Sequence, residues 1–256
     1  MKKLLVYIMV GLMVLCGSYI IAGEKPLTIF AAASSAEAAE ESGREFTAMS
    51  GINVRINPGS SGRLVRQMEQ GAEVDVFISA SKAWMDHAEI GGLLKNSTVC
   101  VLMTGTLAIV VPKDSGMKTF EPNVDIDFPA SFQGRLSIGD PRHVPAGKYA
   151  METLKYYKWD KALKSRLLPA MDARSALMVV EQGEADAGIV FLTDARKSRR
   201  IKILAILPEK SHSPVIYYAA TCKGASPGAE KLLKFMRGDK GVEILKKHGF
   251  LVAPEK

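Results

Sequence analysis

The chain has 256 residues and a formal net charge of +7 at pH 7, and 47% of its residues are hydrophobic. This length is enough to bury a substantial core in two modest lobes or in one large domain. Its basic residues are dispersed apart from residues 196–202. Within this segment, the run 196–200 has no neighbouring aromatic side chain and is interpreted as a solvated loop, so a nucleic-acid-binding protein is not indicated.

Residues 1–23 are predicted to be a secretory signal peptide. Lys2 and Lys3 precede an apolar segment, residues 4–15, that is too short to span a bilayer. Cys16 leaves one alternative open, in which a lipid on this cysteine anchors the protein to the outer face of the membrane. The protein is therefore expected to be exported, and to be periplasmic if the organism has an outer membrane.

After this signal, short apolar runs alternate with helical patterns, which is typical of an α/β fold with mostly parallel strands. The first part of the pattern predicts strands at 27–33, 53–56 and 74–79, and helices at 35–49, from 62 onward and at 82–89. No internal repeat or low-complexity stretch interrupts this pattern.

Two of the predicted helices begin at serines that directly follow strands. Ser34 follows three alanines, and its spacing to Glu37 is that of a capping box. Ser60 and Ser61 precede a helical pattern that ends at Gly71. Because free backbone N–H groups at helix starts attract anions, two serine-bearing helix starts could clamp one small oxyanion.

Two further apolar runs, residues 107–112 and 215–221, are predicted to be the strands that pass between lobes. This assigns residues 24–105 together with 217–256 to the first lobe. Residues 106–216 then form an inserted second lobe.

The second lobe is predicted to repeat the arrangement of a strand followed by a helix start. Pro145 suits the first turn of a helix, and Asp172 is a good N-cap residue. The patterns are a strand end followed by a turn within residues 136–147, a helical run at 149–157, a helix stop at Gly183 and a strand at 187–191. Each of these features alone is ordinary in α/β proteins.

Cysteine and histidine spacing predicts no metal site. Cys100 and Cys222 each stand at the edge of a strand-like run, and a disulfide between them is an open alternative because sequence does not give the distance between their Cα atoms. The four histidines are scattered singly, at His87, His143, His212 and His248.

In combination, these stretches resemble the periplasmic molybdate-binding proteins of ABC importers over essentially the whole mature chain. The stretches that carry the resemblance are residues 30–34, 60–62 with Leu64 and Gln67, 71–80, 139–147 and 188–190. The resemblance implies a type II periplasmic-binding-protein fold, in which two α/β lobes, each a mostly parallel sheet flanked by helices, close on a ligand in the cleft between them.

The resemblance also implies the ligand contacts. Ser34 and Ser61 are expected to supply hydroxyl and backbone N–H donors from the first lobe, and Ala146 and Ala173 to supply backbone N–H donors from the second. Molybdenum is expected only as the oxyanion bound at these four residues, and no cofactor is implied. A site made only of donors selects against protonated anions, whose O–H would find no acceptor.

One position departs from the family. Where its members commonly have a tyrosine that donates to the anion, this chain has Phe191. The missing hydroxyl removes one hydrogen bond to a charged ligand, which costs roughly 1.5–3 kcal/mol. We expect weaker binding than in a tyrosine-bearing relative, or a replacement donor from a nearby side chain or water.

By the same resemblance, the protein is expected to be a monomeric receptor without enzymatic activity. It would capture molybdate or tungstate and deliver it to a membrane permease driven by a cytoplasmic ATPase. Two alternatives stay open: a receptor for another tetrahedral oxyanion such as sulfate, and an exported serine hydrolase that uses Ser79 and Lys82, which have the serine–lysine spacing of penicillin-binding enzymes.

Overall fold

The computed structural model describes residues 25–252, so the predicted signal peptide and Cys16 lie outside the described residues. Two five-stranded sheets organise the chain. The strands are β1 (Leu27–Ala32), β2 (Val54–Gly59), β3 (Val76–Ser79), β4 (Cys100–Thr104), β5 (Leu107–Pro112), β6 (Leu136–Gly139), β7 (Leu167–Ala170), β8 (Ala187–Phe191), β9 (Ile201–Ile206) and β10 (Ile216–Thr221).

Helices cover both sheets. They are α1 (Ala36–Ser50), α2 (Ser61–Glu69), α3 (Lys82–Ile90), α4 (Pro145–Tyr156), α5 (Asp160–Leu163), α6 (Ala173–Glu181), α7 (Leu192–Lys197), α8 (Gly228–Arg237) and α9 (Asp239–Lys247). Within residues 25–252, no helix is both long enough and apolar enough to cross a membrane.

The two sheets have the same design. The first has the strand order β2-β1-β3-β10-β4 and the second β7-β6-β8-β5-β9. In each, the first three strands pair in parallel, and the fourth runs antiparallel to both of its neighbours. The chain passes from the first sheet to the second between Thr104 and Leu107, and it returns through β10.

This topology brings the predicted helix starts together. The carboxyl ends of parallel strands lie at one edge of a sheet, where ligands of open α/β sheets bind. In the first sheet, β1 and β2 end just before Ser34 and Ser61. In the second, β6 and β7 lead to the starts of α4 and α6, and β8 ends at Phe191.

The core is continuous between the sheets. One cluster of buried side chains contains Ile29 and Ile78 of the first sheet, Ile109 and Ile189 of the second, and Tyr217 of β10. The strands predicted to pass between lobes therefore lie inside the shared core.

Most of the predicted strands form where expected, and 107–112 and 187–191 match to the residue. The second strand differs, because it extends through Pro58 to Gly59. A proline lacks the N–H that a central strand needs, but β2 pairs only with β1 and is an edge strand, so the proline is tolerated.

The predicted capping box at Ser34 and Glu37 is wrong. Residues Ala33–Ser35 form a 3-10 turn, and α1 begins at Ala36 without a side-chain cap. The Ser35 hydroxyl donates to the Ala32 carbonyl, and Glu37 forms ion pairs with cationic side chains of the second lobe. Tertiary partners have replaced the local interaction that the spacing predicted.

The solvated loop predicted at residues 196–200 is confirmed in part, because residues 198–200 form an exposed or half-buried loop, whereas Arg196 and Lys197 belong to α7. Lys197 ends α7 and pairs with Glu37, while Lys202 lies in β9 and its Nζ donates to the carbonyls of Ser115 and Met117.

The open question of a disulfide is answered for the described residues, where Cys100 and Cys222 are not joined by one.

Candidate anion-binding site

The five residues expected to contact a ligand are all buried. The exposed fractions are 2% for Ser34, 0% for Ser61, 0% for Ala146, 4% for Ala173 and 2% for Phe191. The α6 start lies against the turn at residues 33–35, and the Gly62 N–H donates to the His143 carbonyl at 3.3 Å. These contacts place the turn of Ser34 beside the start of α6, and the start of α2 beside the segment that precedes α4.

Three of the positions stand at helix starts. Ser61 and Ala173 are the first residues of α2 and α6, and Ala146 is the second residue of α4. The first N–H groups of a helix have no partner inside the helix, and the helix dipole places partial positive charge there. The arrangement favours a small anion without burying a lysine or arginine beside it.

Ser61 is held as a hydrogen-bond donor. Its Oγ accepts from the Ala80 backbone N–H at 3.1 Å. A serine hydroxyl has one proton to donate. Because the amide can only donate to Ser61, this proton is left for a further acceptor.

Ser34 has a different partner. Its Oγ lies 2.8 Å from the Tyr217 hydroxyl oxygen, and either group could be the donor. Tyr217 is fully buried, and this burial raises the pKa of its phenol well above the ordinary value. Tyr217 is therefore a neutral phenol beside Ser34, the first of the residues predicted to contact the anion.

The α4 start depends on a close approach between two glycines. Pro145 is the first residue of the helix, as the sequence predicts, and Ala146 follows it. A Cβ atom on Gly147 would lie 1.8 Å from the Gly139 carbonyl oxygen. The lack of side chains at Gly139 and Gly147 thus lets α4 pack directly on the end of β6.

Gly147→Ala is expected to lower the free energy of unfolding by about 3 kcal/mol, the upper end of the usual range for overpacking, because the methyl group meets backbone and no rotamer change relieves the overlap. Urea denaturation measures the loss. Gly116→Ala is the matched control, since its Cβ would meet no atom within 4 Å and its stability should not change. A Gly147 variant as stable as this control would contradict the close approach.

The α6 start is capped as the sequence predicts. The Asp172 carboxylate accepts from the Ser175 N–H at 2.8 Å. This cap satisfies the third amide of the helix and leaves the amides of Ala173 and Arg174 outside the interaction. The cap thus keeps the N–H of Ala173 available at the helix end.

Phe191 forms an aromatic wall with residues from elsewhere in the chain. Its ring centroid lies 5.8 Å from that of Tyr217, which in turn packs edge-on against Phe250 at 5.2 Å. Sequence reasoning missed Tyr217, although it lies in a predicted buried strand and a buried tyrosine hydroxyl needs a polar partner.

Contacts across the cleft hold the lobes together. The Tyr149 hydroxyl donates to the Ala80 carbonyl at 3.1 Å, and Glu37 pairs with Arg174 at 3.1 Å and Lys197 at 2.6 Å. The hydrogen bond from Lys197 is the largest cause that lowers the pKa of Glu37, so this carboxylate stays charged. The first lobe thus meets the second through both neutral and charged groups.

A buried carboxylate lies beside the same ion pairs. Asp194 is 4% exposed and lines a cavity of about 430 Å³ with Glu37 and Arg174. Burial raises its pKa to about 7, although Arg174 lies 3.9 Å away and opposes the shift. Its Oδ2 has no hydrogen-bond partner among the described residues. No feature of the sequence pattern indicated this burial.

The serine–lysine alternative is not supported by the geometry. The Ser79 hydroxyl donates to the Ser81 carbonyl and accepts from the Ser81 N–H, at 2.9 and 3.2 Å. The exposed Lys82 ammonium is paired with Asp86 at 2.7 Å. Each side chain thus has its own partners, and Lys82 does not activate Ser79. Among residues 25–252, no group of histidine, cysteine and acidic side chains could hold a metal ion.

Known proteins are similar to this chain over most of its length. The chain matches the bacterial extracellular solute-binding protein family over residues 27–251. It is 39% identical to the molybdate-binding protein ModA of Escherichia coli over 235 residues, which is 91% of each chain. It is 36% identical to the molybdate-binding protein ModA of Haemophilus influenzae, covering 98% of this chain and 99% of the relative.

A solved structure supports the fold. The periplasmic molybdate-binding protein of Azotobacter vinelandii superposes with a TM-score of 0.78 at 24% identity, covering 90% of this chain and 100% of that protein. The predicted two-lobed fold with a sheet in each lobe is confirmed.

Proposed function

We propose that this chain, which belongs to the bacterial extracellular solute-binding protein family, is an exported receptor that captures molybdate or tungstate and delivers it to an ABC importer. One observation carries the proposal. Two buried serines of the first lobe lie at contacts with the second, Ser34 in the turn packed on α6 and Ser61 beside the Gly62–His143 hydrogen bond, and Ser61 is already held as a donor. Such a site suits a small anion that offers only acceptors.

A site lined by hydrogen-bond donors selects for tetrahedral anions that carry no proton. A fully deprotonated tetrahedral anion can accept from every group around it. A hydrogen phosphate brings an O–H that needs an acceptor, and an unmet buried donor costs about 1–3 kcal/mol. Helix starts supply the balancing charge, so no cation has to be desolvated.

We assign the four contacts to Ser34, Ser61, Ala146 and Ala173, with Phe191 as part of the wall. Residues 24–105 and 217–256 would move as one lobe and residues 106–216 as the other, with hinges near 106 and 216. Closure brings together the surface that docks on the permease. The protein acts as a monomer, binds without catalysing a reaction and needs no cofactor.

Isothermal titration of the ligand-stripped mature chain with molybdate, tungstate, sulfate and phosphate tests the proposal. We expect one-to-one binding of molybdate or tungstate, with no heat from sulfate or phosphate. Preference for sulfate would keep an oxyanion receptor but overturn the assigned ligand. Silence with all four anions would overturn the proposed function.

Phe191→Tyr is expected to raise the affinity for molybdate by about tenfold to a hundredfold, because it restores one hydrogen bond to a charged ligand. The same titration measures the change. Phe250→Tyr is the control, since it adds the same hydroxyl to the other aromatic ring that packs against Tyr217. Unchanged affinity in a folded Phe191 variant would place this residue outside contact with the anion.

A further inference from the structure

The two site serines, Ser34 and Ser61, each have a hydrogen-bonding group of the protein next to the side-chain oxygen. The Ser61 oxygen accepts from the Ala80 amide, which has a proton to give and no lone pair to offer. The direction of this hydrogen bond is therefore fixed. The Ser61 proton takes no part in this bond and is available to an oxygen of the ligand.

At Ser34 the neighbouring group is the phenol of Tyr217 instead of a backbone amide. The Tyr217 hydroxyl oxygen lies 2.8 Å from the Ser34 Oγ, and this serine is the only hydrogen-bond partner that the described residues offer it. Aromatic rings of Phe191 and Phe250 pack against the Tyr217 ring. Because Tyr217 is fully buried, Ser34 is the one acceptor that residues 25–252 offer its proton.

We propose that Tyr217 sets the specificity of the site by holding Ser34 as a donor toward the bound oxyanion. With the anion in place, the Tyr217 proton points to the Ser34 oxygen and the Ser34 proton points to the anion. This inference rests on the proposed function. It goes further, because it attributes the selection against protonated anions to Tyr217, a positioning residue outside the predicted contacts.

The reverse arrangement explains the selectivity. If hydrogen phosphate donated its proton to the Ser34 oxygen, the Ser34 proton would turn away from the ligand, and the acceptor that the described residues offer it is the Tyr217 oxygen. The Tyr217 proton would then be buried with no acceptor, which proteins avoid. Tyr217 thus penalises the one arrangement of Ser34 that would admit a protonated ligand.

The test is a double-mutant cycle of Tyr217→Phe and Ser34→Ala, with affinities for molybdate and phosphate measured by titration at pH 7. Tyr217→Phe keeps the ring and removes the hydroxyl. We expect it to weaken molybdate binding about tenfold and to narrow the preference for molybdate over phosphate by about the same factor. In the Ser34→Ala background, it should change neither value.

Tyr218→Phe is the matched control, because it removes a hydroxyl from the neighbouring, half-buried residue and should leave both affinities unchanged. Thermal unfolding of each variant separates loss of fold from loss of binding. Two results would overturn the role of Tyr217 even if the wild type binds molybdate. One is that Tyr217→Phe weakens molybdate binding equally in the wild-type and Ser34→Ala backgrounds, and the other is that it leaves the preference for molybdate over phosphate unchanged. A wild type that binds no tetrahedral anion would overturn the proposed function as well.

Discussion

The double variant Ser34→Ala/Ser61→Ala is expected to bind molybdate at least about a hundredfold more weakly than the wild type while remaining folded. Each hydroxyl is assigned one hydrogen bond to a charged ligand, worth about 1.5–3 kcal/mol, so the pair corresponds to about 3–6 kcal/mol. Backbone N–H groups at the helix starts remain and leave residual affinity. Titration gives the change in Kd, and the two single variants show how far the losses add.

The fold should survive because both changes keep the volume of small, buried side chains. Ser61→Ala leaves the Ala80 amide without its acceptor, which costs about 1–3 kcal/mol of stability, so thermal unfolding accompanies each titration. Ser42→Ala is the matched control: Ser42 is fully buried in α1, its Oγ has no hydrogen-bond partner among the described residues, and its loss should not change the affinity. A double variant within about tenfold of the wild type would remove both serines from the anion contact.

Much of the fold could be predicted because local signals and tertiary structure agree. The apolar run at residues 107–112 is short and bounded by polar residues, and the structure makes it a central strand of the second sheet. Asp172 caps α6 through the interaction that its spacing predicts, and Pro145 stands in the first turn of α4. In these places no distant partner competes with the local preference.

The site was less predictable where long-range contacts decide. Ser34 and Glu37 have the spacing of a capping box, yet Ser34 bonds to Tyr217, which is 183 residues away, and Glu37 pairs with Arg174 and Lys197. A basic run similarly indicated a loop, whereas Lys197 reaches across to the first lobe. Sequence spacing cannot rank a local hydrogen bond against partners that only the folded chain brings near.

The burial of Asp194 is a second feature that the sequence did not predict. Replacing this residue is expected to have a large effect on stability. Asp194→Asn should raise the free energy of unfolding at pH 8 by up to about 4 kcal/mol, since burial moves the pKa of this carboxyl from 3.8 to about 7. At pH 8 the folded wild type must hold a buried carboxylate that the unfolded chain exposes to water. An asparagine side chain at this position carries no charge to bury.

The sign of the pH dependence follows from the two pKa values. Between pH 4 and pH 7, the folded protein binds a proton at Asp194 that the unfolded chain has released, so this contribution to stability is present at low pH and is lost as the pH rises through about 7. Urea denaturation of the ligand-free protein at pH 4 and pH 8 measures it. The gain from Asp194→Asn should be large at pH 8 and absent at pH 4.

Neighbouring charges limit this gain without reversing it. Arg174 faces Asp194 at 3.9 Å but lies closer to Glu37, at 3.1 Å, so removing the Asp194 charge leaves the guanidinium with a carboxylate partner. Asp125→Asn, at an exposed position, is the control and should leave the stability unchanged at both pH values. If Asp194→Asn destabilised the protein at pH 8, the attraction to Arg174 and Lys197 would outweigh burial, and Asp194 would be a charged member of the ion pairs that join the lobes.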